Sequence, residues 1–225
     1  MEENLTCQRT IHVVIADDHA LFSASLRQQL EPVDDMRVMA EFGDAEALLS
    51  GMNGLTPDVL ILSLNMPNSD PLEIVAWVQT NCPSTGVVGL TAFDDDRYLG
   101  AMESSSIAGF LPKAASPEML IAALRRVAGG ETIWTQEERS RARRWREEVG
   151  SRWLNLTVQE RAVARLAARD MDTKQMAEAL QITPRTVEYH MGNALDKVGV
   201  LSRLALAVWI RDNLPPDWWH GAKTR

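Results

Sequence analysis

The sequence has no long apolar run and only two cysteines. Its uninterrupted apolar stretches, such as residues 59–62, are strand-sized and far shorter than the roughly 18 residues that a membrane span needs. The N-terminal stretch MEENLTCQRT is acidic and polar, unlike a secretory signal. Cys7 and Cys82 have no spacing typical of a metal site or a disulfide framework, and lone thiols suit a reducing compartment. We therefore expect a cytoplasmic protein without a membrane partner.

The charges divide unevenly along the chain. With 225 residues, 45% of them apolar, the chain is long enough for two domains with packed cores. Acidic residues outnumber basic ones by 16 to 7 over residues 9–130, whereas basic residues lead by 9 to 7 over residues 152–214. The two halves are therefore expected to have different partners. So small a positive charge does not by itself distinguish a nucleic-acid-binding face from a solvated one.

The first half alternates short apolar runs with helical patterns. The strand-like runs are Ile11–Ala16, 38–42, 59–64, 87–90 and 110–111. Between them, segments such as 21–30, 71–78 and 119–127 carry apolar residues three and four apart. Because this alternation lacks hairpin signals, it predicts a doubly wound (βα)5 domain with a parallel sheet over residues 9–130.

The second half is helical throughout. Residues 131–151 carry alternating charges and a Thr135–Glu138 capping box, which predicts a solvated linker helix. Over residues 152–215, helices 174–180 and Pro184–Val198 are separated by a short turn, and Thr183 can cap the second of them. This spacing predicts an all-α helix-turn-helix domain.

Polar side chains are expected at the carboxyl edge of the sheet, where doubly wound folds place their ligands. Asp17 and Asp18 follow the first strand, and Ser63 ends the third. Thr91 ends the fourth strand, and Lys113 follows the fifth. Adjacent carboxylates suit Mg²⁺, and a hydroxyl with an ammonium suits a phosphate. The alternative is that the acidic pair only caps the first helix.

The second helix of the predicted helix-turn-helix has two faces. Arg185, Tyr189 and Asn193 lie four residues apart, so they form one polar stripe opposite the apolar one. A guanidinium, a phenol and an amide can contact base edges and phosphates. A protein-binding helix or an ordinary exposed face would show the same stripe.

Several segments resemble the receiver domain of bacterial response regulators of the NarL/FixJ type. They are VVIADDHALFSASLRQQL, PDVLILSLNMP, VVGLTAF and GFLPKAASPEML. In that family an acidic pair binds Mg²⁺, an aspartate ending the third strand accepts a phosphoryl group from a histidine kinase, and a threonine and a lysine read it. The resemblance assigns Mg²⁺ binding to Asp17 and Asp18 and phosphate reading to Thr91 and Lys113. Phe110 falls at the aromatic switch position.

Ser63 departs from the family at the acceptor position, and Pro71 stands where glycine is usual. A carboxylate is already ionised at neutral pH, whereas a serine hydroxyl needs a neighbouring base to attack phosphohistidine. His19 is the nearest histidine in the sequence and is left unassigned. We therefore expect no phosphorylation of Ser63 by a histidine kinase, no required cofactor, and Mg²⁺ held only weakly.

Residues 156–200 resemble the LuxR-type DNA-binding domain. Thr186, Val187 and His190 match its T-V-K-x-H core, but Glu188 replaces a lysine and Gly192 a polar residue that are common there. An acid facing phosphates is repulsive. The residues predicted to contact double-stranded DNA are Lys174, Gln175, Arg185, Thr186, Tyr189, Asn193 and Lys197.

The sequence thus predicts a homodimeric DNA-binding transcriptional regulator, not an enzyme, that is controlled independently of aspartyl phosphorylation. Its receiver would serve for dimerisation, through helix 117–128 and the face near Phe110, or for sensing another signal. Three alternatives stay open. They are a protein-interaction adaptor, a phosphoacceptor at another residue, and a non-phosphorylatable variant of an ordinary two-component response regulator.

Overall fold

Five strands form one parallel sheet in the order β2-β1-β3-β4-β5. The computed structural model describes residues 9–66, 69–92, 96–103 and 105–215. The strands are β1 Ile11–Ala16, β2 Met36–Phe42, β3 Val59–Ser63, β4 Gly86–Thr91 and β5 Gly109–Pro112. The helices that alternate with them are α1 Ala20–Leu30, α2 Ala45–Gly51, α3 Pro71–Asn81, α4 Asp96–Glu103 and α5 Pro117–Ala128. This alternation confirms the predicted α/β fold class.

The sheet is buried because apolar side chains project from both of its faces and pack within the protein. Alternate strand residues such as Val13 and Ile61 pack with Leu26 of α1 and Leu124 of α5. The residues between them point the other way and are also buried, and β3 is buried along its whole length. A strand covered on both faces needs a near-continuous apolar run, and the first four residues of β3, VLIL, provide it.

The helices after the sheet are short, and side chains cap the starts of several of them. They are α6 Gln136–Trp145, α7 Ser151–Leu154, α8 Val158–Ala168, α9 Thr173–Leu180, α10 Pro184–Val198 and α11 Arg203–Asn213, with a π-helical turn, Arg146–Gly150, between α6 and α7. The predicted capping box at Thr135 is present, and Thr157 forms a second one with Glu160. Asp172 caps α9, and Thr183 caps α10.

The helix-turn-helix is α9 followed by α10. Gln181 ends α9 in the left-handed region, with φ +54°, and the chain reverses there. Ile182 then packs against a core of Val163, Met176 and Val187 from α8, α9 and α10. The all-helical second half is therefore confirmed.

The described chain forms two compact units. One contains residues up to 94 and 105–134, and the other contains 95–104 and 135 onward. Helix α4 therefore groups with the C-terminal helices, although it lies between β4 and β5 in sequence. The boundaries drawn from sequence at residues 130 and 151 stay a prediction.

Two further sequence expectations concern membranes and thiols. Among the helices of the described segments, none is both long and apolar enough to cross a membrane. Cys82, just after α3, is a free thiol, and Cys7 lies outside the described residues.

An ion pair joins the turn before β2 to α5. Arg125 donates from Nε and Nη2 to the two carboxylate oxygens of Asp35, each at 2.8 Å. These hydrogen bonds lower the pKa of Asp35. A group with a lowered folded-state pKa stabilises the fold above its unfolded pKa, and that contribution is lost as the pH falls through the folded value.

We expect Asp35→Asn to lower the free energy of unfolding at pH 7 by about 1 kcal/mol, the upper range for partly exposed pairs. The difference from the wild-type protein should shrink as the pH falls below about 3.9, the ordinary pKa of aspartate. Denaturant titrations at several pH values measure it. Glu131→Gln, which removes the exposed partner of Arg126, is the control and should change little. A pH-independent difference would contradict the assignment.

Candidate receiver pocket and nucleic-acid interface

The carboxyl edge of the sheet brings the predicted pocket residues together. Asp17 directly follows β1, and Ser63 and Thr91 are the last residues of β3 and β4. The Lys113 N–H donates to the Thr91 carbonyl at 2.7 Å, which fixes the chain after β5 beside the end of β4. Parallel strands end at one edge, so the sequence order predicted this convergence.

Asp17 is the most enclosed charged group of the pocket, with a side chain only 1% exposed. One carboxylate oxygen accepts from the His19 N–H at 2.8 Å and lies 3.2 Å from His19 Nδ1. The other is paired with the Lys113 ammonium. Lys113 Nζ also lies 4.8 Å from the centre of the Phe22 ring. A buried carboxylate is stable only when paired, and both oxygens of Asp17 have partners within the protein.

His19 is the residue whose role the sequence left unassigned. Its Nδ1 lies 2.9 Å from an Asp18 carboxylate oxygen, and one ligand atom each of Asp17, Asp18 and His19 lie within 4.8 Å of one another. Its position directly after the acidic pair was the available signal. The N-cap residue of α1 is His19, whose side chain makes no capping hydrogen bond. The acidic pair contacts this histidine, so its role is not limited to capping α1.

The pocket offers Mg²⁺, the cofactor that the receiver resemblance implies, fewer free carboxylate oxygens than a site with three acidic residues would. Mg²⁺ takes oxygen ligands in near-octahedral geometry. Both oxygens of Asp17 are already engaged, and Ser63 supplies a neutral hydroxyl where a third carboxylate would stand. The cluster retains two carboxylates, of which the Asp18 side chain is 21% exposed.

Ser63 is buried and unsatisfied. It is 1% exposed, and its Oγ has no hydrogen-bond partner among the described residues. Pro71, the other departure from the family, is the first residue of α3, a position that favours proline.

Phe110 lies inside the sheet unit. It is buried, and its ring packs edge-on against Trp134, with ring centres 4.9 Å apart. A Cβ on Gly89 would overlap the Phe110 ring, so the glycine makes room for it. In this arrangement Phe110 itself is not available to a dimer surface.

The residues of the predicted polar stripe on α10 differ in their exposure. Val187, Ala194 and Val198 are buried, whereas Arg185 is exposed and Tyr189 is 66% exposed. Some of the predicted DNA contacts are half-buried or are hydrogen-bonded within the protein at helix ends. Asn193 and Thr186 are half-buried, and the Thr186 hydroxyl lies 2.8 Å from that of Thr183. Lys174 is exposed, and Gln175 accepts the Asp172 N–H in the α9 capping box.

Lys197 has a structural partner that the sequence did not reveal. Its Nζ donates to Glu160 at 2.6 Å, and Glu160 also accepts the Thr157 N–H at 2.8 Å. Burial alone would raise the pKa of Glu160, but the hydrogen bonds from Lys197 and Thr157 outweigh it and lower the pKa. The pair ties the start of α8 to the end of α10. Because the partners are far apart in sequence, only the tertiary fold brings them together.

This fold and this pocket define a receiver linked to a helix-turn-helix domain. Residues 13–125 match the response regulator receiver domain, and residues 154–210 match the bacterial regulatory proteins of the LuxR family. The chain belongs to the response regulators with a LuxR-type domain. It is a DNA-binding transcriptional regulator of that family and not an enzyme, as predicted.

Relatives cover nearly the whole chain. The transcriptional regulatory protein UhpA of Salmonella typhimurium is 31% identical over 88% of this chain and 96% of its own. RcsB of Salmonella enterica serovar Typhimurium, bound to promoter rprA in the presence of phosphomimetic BeF3−, is 27% identical, with a TM-score of 0.60 over 89% of this chain and 98% of its own. A structure of two RcsB dimers bound to two parallel DNAs is 26% identical, with a TM-score of 0.56 over 90% and 98%.

Proposed function

We propose that this cytoplasmic protein regulates transcription as a homodimer on double-stranded DNA, with a receiver that works without an aspartyl phosphate. The observation that carries the proposal is Ser63, buried at the end of β3 where the family has its acceptor aspartate. A histidine kinase is then not the partner that sets its activity.

The pocket chemistry supports phosphate independence. Lys113, assigned by the resemblance to reading a phosphate, already neutralises Asp17. The buried Ser63 hydroxyl has no hydrogen-bond partner among the described residues, and therefore no base beside it. A hydroxyl without a base is a poor nucleophile. Lys113 therefore serves to hold Asp17 instead of a phosphate, and Mg²⁺ is at most weakly held.

Incubation with acetyl phosphate and Mg²⁺ should add no phosphate at Ser63, because the hydroxyl is buried and not activated. Intact-mass measurement followed by peptide mapping tests this. Ser63→Asp restores an ionised acceptor and should gain one labile phosphate, whereas Ser63→Ala should not. Stoichiometric phosphate on Ser63 of the wild-type protein would overturn the proposal.

The C-terminal unit supports DNA binding through α10. A capped helix with one face in the core presents Arg185, Tyr189 and Asn193 on another, the arrangement that reads base edges in the major groove. Lys174 is exposed at the start of α9, and we propose that it contacts a phosphate. Glu188, exposed beside the stripe, opposes DNA and is the observation that favours the adaptor alternative.

We expect Arg185→Ala and Asn193→Ala to weaken specific DNA binding by about 1–3 kcal/mol each if they contact base edges. Lys174→Ala should weaken specific and non-specific binding alike and reduce the salt slope by about one unit. Glu188→Lys should tighten binding because it replaces repulsion by attraction. Fluorescence anisotropy with promoter DNA over a salt series measures all four.

Lys197→Ala is the matched control for Lys174→Ala. Because Lys197 is paired with Glu160, its removal should lower stability more than it lowers the salt slope. If none of these variants changes DNA binding and the full-length protein ignores DNA at low salt, the adaptor function replaces the proposed one.

The homodimer is best supported by α11 and the turn before it. Leu201 is 100% exposed and Leu204 70% exposed, and Val208 continues the same stripe. On α5, the helix favoured from sequence, Met119 is an exposed apolar residue at 55%. A helix-turn-helix needs two copies in register on adjacent half-sites, so a second copy of this chain is the partner that fits the α11 stripe.

Leu204→Glu should shift the protein from dimer to monomer, because it places a charge in the apolar stripe. Leu204 is already exposed, so the change should not disturb the core. Light scattering with and without DNA measures the mass. Met119→Glu on α5 is the matched control and should stay dimeric. If only Met119→Glu dissociates, α5 is the dimer surface, and a wild-type monomer on DNA would rule out the homodimer.

A further inference from the structure

Helix α4 is packed as a core element of the C-terminal unit. Tyr98, Leu99, Ala101 and Met102 are all buried, with at most 5% exposure. Its main contacts are with α6, and it also contacts the π-helical turn. A helix buried to this extent contributes to the stability of the unit that surrounds it.

Two glycines hold the Trp145 ring in a slot. A Cβ on Gly100 of α4 would overlap the ring, and so would a Cβ on Gly150 of the π-helical turn. The ring therefore fits only while both positions lack a side chain. Glu103 of α4 and Arg146 next to Trp145 form an ion pair beside this slot.

The same elements hold the end of α11. Trp145 Nε1 donates to the Asn213 carbonyl at 3.2 Å, and Arg97 of α4 donates to the Leu214 carbonyl at 3.2 Å. The last carbonyls of a helix have no donors within the helix, and a cation is favoured at that end. Arg97 belongs to α4, and the Trp145 ring is confined by Gly100 of α4.

We propose that α4 is a clamp on the C-terminal end of α11. When α4 is docked, Arg97 and the confined Trp145 satisfy the end of α11; when α4 is released, both donors are lost together. Thr91 ends β4, and the chain enters α4 at Asp96, so a change at the pocket edge has a short covalent route to the clamp.

The clamp matters because of where α11 packs. Leu206, Ala207 and Ile210 of α11 are buried, and α11 packs chiefly against α8, the helix that supports the helix-turn-helix. The clamp therefore links the segment between β4 and β5 to the DNA-binding helices, whatever ligand they bind. This inference goes beyond the proposed function and does not depend on DNA binding.

Hydrogen exchange of the full-length Gly100→Ala variant tests the clamp. The new methyl group should displace Trp145, and we expect at least tenfold faster exchange for amides of residues 97–103 and, at the same time, 210–214. Alanine favours helix more than glycine does, so faster exchange in α4 would not arise from helix propensity. Gly192→Ala, in open space on α10, is the matched helical control and should change neither segment.

Arg97→Met provides a second test that leaves the Trp145 slot intact. It should speed exchange at 210–214 while α4 stays protected, because methionine has no N–H to donate to the Leu214 carbonyl. If Gly100→Ala unfolds the whole protein, this variant decides the question. Unchanged exchange at 210–214 in Arg97→Met, or in a folded Gly100→Ala whose α4 is exposed, would overturn the clamp.

Discussion

The ion pair between Asp17 and Lys113 determines what the receiver pocket can do. A carboxylate as enclosed as Asp17 is costly to bury unless it is paired, and here the lysine that follows β5 is its partner. Ser63 brings no charge to compete for that lysine. The charge of Asp17 is therefore balanced by Lys113, and the His19 N–H donates to the remaining oxygen of Asp17. Phosphate and metal would both have to displace an existing interaction.

The C-terminal unit depends on a different kind of constraint, the satisfaction of helix ends. Short helices leave a large share of their backbone groups without intrahelical partners. The starts of α8, α9 and α10 are satisfied by local caps, which sequence spacing encodes. The end of α11 instead depends on Trp145 and Arg97, which are distant in sequence. Local caps fix where helices begin, and distant donors decide which segments must move together.

The sequence predicted the elements well because strand alternation, helix periodicity and caps are local signals. The five strands, the capping box at Thr135 and the helix-turn-helix helices all lie where their patterns indicated. Partners distant in sequence could not be predicted. The apolar residues of α4 indicate a buried helix but do not indicate which surface covers it. Likewise, the sequence around Lys197 does not distinguish a contact with a phosphate from a contact with Glu160. The roles of the pocket residues were predicted from their chemistry and from the resemblance to receiver domains.

The two constraints meet at the end of β4. Thr91 is buried at the pocket edge, and the chain that follows it continues into α4. Under the proposed phosphate independence, a shift of this edge would come from a ligand or partner with different affinity for the two states of α4. A partner that captures the apolar face of α4 would act directly on the clamp. Control by such binding requires no acceptor at residue 63, which is why a buried serine there is compatible with a regulated protein.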